Sequence, residues 1–97
     1  MLEKYMRSME AFMYSMGTYF LEVFPEPIPG DGWTGDARFS RRNDYRRHAD
    51  VTKVTFHSHI VRPTMAAAES AITAWARDFI DKSGDVLEAS LRLAEEA

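Results

Sequence analysis

The stretch VTKVTFHSHIVRPTMAAAESAITAWARDFI, residues 51–80, decides the fold, because two different hydrophobic periods meet inside it. In its first part Val54, Phe56 and Ile60 take even positions, while Lys53, Thr55, His57 and His59 take the odd positions between Val51 and Val61. Side chains alternate faces along a strand, so the pattern predicts a half-buried strand with a polar outer face. Arg62-Pro63 ends it: a residue before proline avoids helix, and proline offers no ladder donor. Thr64 then suits an N-cap, and Met65, Ala68, Ile72, Trp75, Ala76, Phe79 and Ile80 recur every three or four residues. That is the apolar stripe of an amphipathic helix, with Gly84 as its predicted stop. Strand and helix each have one apolar face, and their short connection lets those faces meet.

Working outward, Asp85 with Glu88 three residues on reads as the start of another short helix, given an apolar side by Val86, Leu87, Leu91 and Ala94. Upstream, Trp33, Gly35, Ala37 and Phe39 alternate with Thr34, Asp36, Arg38 and Ser40, which predicts a second strand. A turn around Asn43-Asp44 would return it antiparallel to the first. Pro25 to Gly35 holds three prolines and three glycines, which predicts a connection of extended and turn segments. Its glycine spacing fits neither phosphate-loop fingerprint.

Leu2, Tyr5, Met6, Met9, Phe12, Met13, Met16, Phe20 and Val23 fall on one side of a helical projection, and predict a long N-terminal helix reaching about Phe24. Gly17 inside it would cost about 1 kcal/mol relative to alanine. The fold expected is therefore one α+β domain over residues 1–97. It is a small antiparallel β-hairpin packed by a long N-terminal helix and a C-terminal helix (α-β-β-α), with a short helix after it.

Ninety-seven residues, 45% hydrophobic and 28% charged, suit a single globular domain with a modest core. The formal charge of −3 gives no general attraction to nucleic acid or anionic membrane. The absence of cysteine excludes disulfides, thiolate catalysis and cysteine-based zinc sites, and fits a cytoplasmic setting. Charges at Glu3, Lys4, Arg7, Glu10 and Glu22 interrupt the apolar region from Leu2 to Phe24, so it reads neither as a membrane span nor as a secretory leader.

Three surfaces are candidates for function. The first is Arg38 to His48, with five arginines against one aspartate, a balance of +4. Arg38, Arg41, Arg42, Arg46 and Arg47 offer planar forks for phosphate or carboxylate, and Tyr45 between the pairs could stack on a base. The plainer reading is a solvated loop whose arginines pair with acids; Asp78 to Ala97 holds six acids and two bases.

The second is His57-Ser58-His59, where two histidines on one strand face could share a metal or act together. His48 or Asp50 would have to complete a ligand set, and Ser58, pointing the other way, is poorly placed as a nucleophile. Otherwise the pair is an ordinary strand surface. The third is an interface formed by the methionine-rich helix, with Tyr14, Gly17 and Leu21 as a second contact face. The methionines are otherwise simply core.

No catalytic or cofactor motif is present. The expected function is a non-enzymatic protein-binding or regulatory module, a homodimer acting by occlusion of a macromolecular partner. Arg38, Arg41, Arg42, Tyr45, Arg46, Arg47 and Tyr14 are its contacts, with no membrane involved. The alternatives are a nucleic-acid-binding protein using the arginine-rich 38–48 segment, and a metal or enzymatic domain centred on His57 and His59.

Overall fold

The computed structural model describes residues 12–47 and 51–96, with the backbone alone at Arg46 and Arg47. Its elements are β1 (Phe12–Met16), β2 (Tyr19–Ile28), β3 (Gly32–Arg41), α1 (Asp44–Arg47), β4 (Lys53–His57) and α2 (Met65–Glu96). The strands form one antiparallel meander in the order β1-β2-β3-β4, and α2 packs on one face of it. The class is α+β, but the order α-β-β-α is not what forms.

The expected N-terminal helix is overturned over residues 12–24, which form two strands joined by a turn at Gly17-Thr18; its first part, with Met6 and Met9, lies outside the described residues. Gly17 is the cause. It has φ 61° at the first of the two loop positions between the partners Met16 and Tyr19, where a II′ turn takes glycine and its twist matches the flanking strands. The aromatic and β-branched content of Phe12, Tyr14, Tyr19, Phe20 and Val23 also favours strand. Met13 and Met16 therefore point to opposite faces: Met16 is in the core and Met13 is exposed.

The connection expected over Pro25–Gly35 shrinks to Pro29-Gly30-Asp31. Pro29 and Gly30 (φ 77°) take the two central places of a turn closed by Asp31 N–H donating to the Ile28 carbonyl at 2.9 Å. Fixed φ at the first place and positive φ at the second is the pairing of a type II turn. Pro25 and Pro27 thus lie inside β2, opposite Gly35 and Trp33. Both of those partners direct their backbone bonds toward the β4 side: Ser58 N–H donates to the Gly35 carbonyl, and Trp33 exchanges bonds with Arg62. Pairs alternate along an antiparallel ladder, so the prolines' missing N–H groups fall on the far edge of β2, past Val23 where the described pairing with β1 ends. The β2–β3 ladder loses nothing by them.

The hairpin of β3 with β4 forms as its alternation predicts, with Phe39 opposite Val54 and Asp36 opposite His57. The second strand is shorter than its pattern. From Asp36 to Trp33 is three steps and from His57 to Arg62 is five, so two extra residues bulge out before Trp33 and Arg62 pair. Ser58 secures the bulge by donating Oγ–H to the Gly35 carbonyl and accepting from Ile60 N–H, with His59 at φ 60°.

Leu21, Val23, Ala37 and Phe39 on the sheet, with Ile72, Ala76, Leu87 and Leu91 on α2, make a fully buried core. Each large side chain of that kind contributes roughly 1.5–3 kcal/mol by leaving water. Gly35 sets the closeness of the layers, because a Cβ there would stand 2.5 Å from the Phe24 carbonyl and 3.0 Å from Ile72 Cδ1. Thr64 caps α2 by accepting from Ala67 N–H at 3.1 Å. The predicted break near Gly84 falls at Ser83, whose φ −134° and ψ 34° interrupt α2 and let its second half continue over the sheet.

Candidate functional site

Strand parity sorts the arginine-rich segment. Arg38 lies on the sheet face opposite α2, beside Glu22, its direct cross-strand partner on β2. It donates through Nε and Nη2 to the two Glu22 carboxylate oxygens at 2.9 and 3.1 Å, with its guanidinium 4.7 Å from the Phe24 ring centroid. These bonds hold the Glu22 carboxyl below its ordinary range against the effect of burial, and raise Arg38 in turn. Lys53 adds a second cation 3.7 Å from Glu22.

Arg41 lies on the helix side. It bridges Glu88 at 3.1 Å and also Glu95 on α2, with Asp44 at 3.5 Å. Burial works against its charge, but the bonds to Glu88 and Glu95 outweigh that and push its pKa up. The buried Tyr19 donates its hydroxyl to Glu88 at 2.6 Å. Burial first, and then Glu88, raise that phenol to about 12, while the same bond holds Glu88 low. Arg41 is a clasp between sheet and helix, made with acids of the 78–97 segment.

Arg42 begins the turn after β3 and leans back over the Gly17-Thr18 hairpin. Its backbone N–H donates to Thr18 at 2.9 Å, its Nη1 donates to the Gly17 carbonyl at 2.8 Å, and its guanidinium stands 5.7 Å from the Phe20 centroid. Tyr45, 41% exposed, meets Phe20 edge-on at 5.1 Å with its hydroxyl 3.3 Å from Ser40 Oγ. Between them is a partly open recess of about 320 Å³ lined by Gly17, Thr18, Phe20, Arg42, Asn43 and Tyr45. Arg46 and Arg47 lie on α1, their side chains outside the described residues.

Tyr14 is not part of an exposed patch. It is half-buried on the α2 side of β1, directly across from the fully buried Leu21, and packs against the core. The contact face expected from Tyr14, Gly17 and Leu21 came from a helical projection that these residues do not follow.

The two histidines do come together, their rings edge to face with centroids 4.5 Å apart. His57 Nδ1 lies 2.7 Å from Asp36 Oδ1, a partner that the β3–β4 register supplies. Ser58 Oγ is committed to Gly35, and His48 and Asp50 lie outside the described residues. Among the described residues no group of three or more His, Asp or Glu is arranged to hold a metal. The Asp36 contact orients an exposed imidazole.

Sequence reasoning missed Phe20 and Phe24 as outer-face residues. Together with Glu22 they share one parity of β2, a signal visible only once 19–28 is taken as strand. Among the described residues no helix covers this outer face apart from α1 at its end, and none is long and apolar enough to cross a membrane. Comparison of the chain with protein-family models, curated proteins and solved structures finds no match in any of the three.

Proposed function

We propose that the chain is a non-enzymatic protein-binding module that regulates a macromolecular partner by occluding it. The outer sheet face with its Arg42–Tyr45 end is the contact surface. One observation carries this reading: Arg38 and Arg41 are already neutralised by Glu22, Glu88 and Glu95, whereas Tyr45, Met13 and Arg42 stand exposed. A surface of aromatic and methionine side chains with one pinned arginine resembles the centre of a protein interface more than a track for phosphates. A homodimer in a cytoplasmic setting belongs to the same proposal.

The rings of Phe20 and Tyr45 beside Arg42 also favour a second reading, single-stranded nucleic acid stacked at this end of the sheet. Affinity capture from lysate, with and without nuclease, separates the two. The native chain is compared with Tyr45→Ala and with Arg42→Glu, leaving Arg41 intact because it clasps α2. A discrete protein that survives nuclease and is lost in both variants supports occlusion. Capture that vanishes with nuclease replaces it with the nucleic-acid reading.

A further inference from the structure

Resting on that reading, we propose that the recess between the Gly17-Thr18 hairpin and Tyr45 is a receptor for one carboxylate, supplied by an aspartate, glutamate or chain terminus of the partner protein. The argument begins with the fate of three neighbouring arginines. Arg38 meets Glu22, and Arg41 meets Glu88, Glu95 and Asp44. Arg42 has no carboxylate within ion-pair distance among the described residues. Its backbone N–H is tied to Thr18, and its side chain reaches back to the Gly17 carbonyl on the adjacent hairpin and lies over Phe20.

A guanidinium has five N–H donors, and the bond to Gly17 uses one Nη1 hydrogen. The rest present a planar fork, which matches the two oxygens of a carboxylate. Holding the fork in place beforehand removes much of the ordering cost that an arginine normally adds to binding. The walls suit the same group. Phe20 and Tyr45 form an aromatic wall on one side, and Asn43 and Thr18 can donate neutral hydrogen bonds. At about 320 Å³ the recess takes a single side chain or a small acid.

A phosphodiester backbone presents the same unit charge, but repeats it, and needs a row of unpaired cations to follow. The nearest described cations along the face, Arg38 and Lys53, converge on Glu22 instead. Among the described side chains no second unpaired cation stands beside Arg42, and one fork fits one carboxylate.

The test titrates the ¹⁵N-labelled full chain with benzoate, its neutral isostere benzamide, and dimethyl phosphate, following Arg42 Nε–Hε, the Asn43 side-chain amide and the backbone amides of Gly17 and Thr18. Benzoate should shift these signals saturably, with benzamide at least about tenfold weaker, as expected for a charge-assisted bidentate pair. Arg42→Gln should abolish the response and Arg42→Lys should weaken it, each with a melting temperature lowered by no more than about 5 °C through loss of the Gly17 bond; Arg38 and Arg41 signals should not move.

No saturation by about 50 mM, a bound below which even small acids register in a formed site, overturns the proposal. So does equal binding of benzoate and benzamide, and so does tighter binding of dimethyl phosphate, which makes the recess a phosphodiester site. Failure here while the lysate capture succeeds leaves occlusion standing without this receptor. Benzoate binding without any captured protein leaves the receptor and removes the occlusion reading.

Discussion

The two faces of the sheet are built from the same strands, one residue out of step, and obey different rules. Leu21, Val23, Ala37 and Phe39 face α2 and are fully buried, so their contribution is volume and shape. Their immediate neighbours Phe20, Glu22, Arg38 and Ser40 face away, and are held by a bidentate ion pair and by ring edges. Even the arginines divide this way, Arg41 closing the core and Arg42 facing outward at the hairpin. The difference teaches that in this protein a step of one position separates a packed apolar layer from a face held by ion pairs and ring edges.

The sharpest break of that comparison is Phe39→Ala. It removes a ring that packs on Phe56 and Phe79 in the buried layer, and should cost about 3–5 kcal/mol by urea unfolding. Gly35→Val should cost about 1–3 kcal/mol, because its side chain meets the Phe24 backbone carbonyl, which cannot swing aside. A smaller loss, about 1 kcal/mol near neutral pH, is expected for Glu22→Gln, since the pair with Arg38 is partly exposed.

The same variant carries a pH signature. The folded Glu22 pKa is depressed by Arg38, so its stabilisation is complete above the unfolded carboxylate value and is lost as pH falls through the folded one. Glu88, held low by the Tyr19 hydroxyl, behaves alike. Urea midpoints should therefore decline on acidification, less steeply in Glu22→Gln. At the alkaline end the sign reverses: Tyr19, raised to about 12, contributes stability below the ordinary 10.0 that is lost as pH climbs from there to 12. The smallest effect sharpens the contrast. Met13→Ser, at a 55% exposed outward position, should change stability by less than about 0.5 kcal/mol.

The comparison also explains what the sequence made legible. Strands 33–41 and 53–57 were readable because their inner positions are apolar and their outer ones polar, which leaves only one period that fits, while the short helix Asp44–Arg47 and the bulge after His57 were not. Residues 12–24 were not, because Met13, Phe20 and Phe24 place large apolar groups on the outer face too. With both parities apolar, a helical period matches as well as a strand period, and Gly17 reads as a tolerated flaw instead of the turn that decides the matter. The site was half legible for a related reason. Composition picked out Arg42 and Tyr45, but their partners Gly17 and Phe20 lie more than twenty residues away in sequence and meet them only through the β1–β2 hairpin.

The prolines of β2 bear on how copies of this chain can meet. An exposed strand edge normally offers alternating donors and acceptors to any passing strand, and so seeds polymerisation. Along Pro25–Ile28 the outward donors at positions 25 and 27 are absent, leaving carbonyls that an incoming backbone can only partly match. Among the described residues no strand pairs with that margin, and its own covalent chemistry makes it a poor template for one.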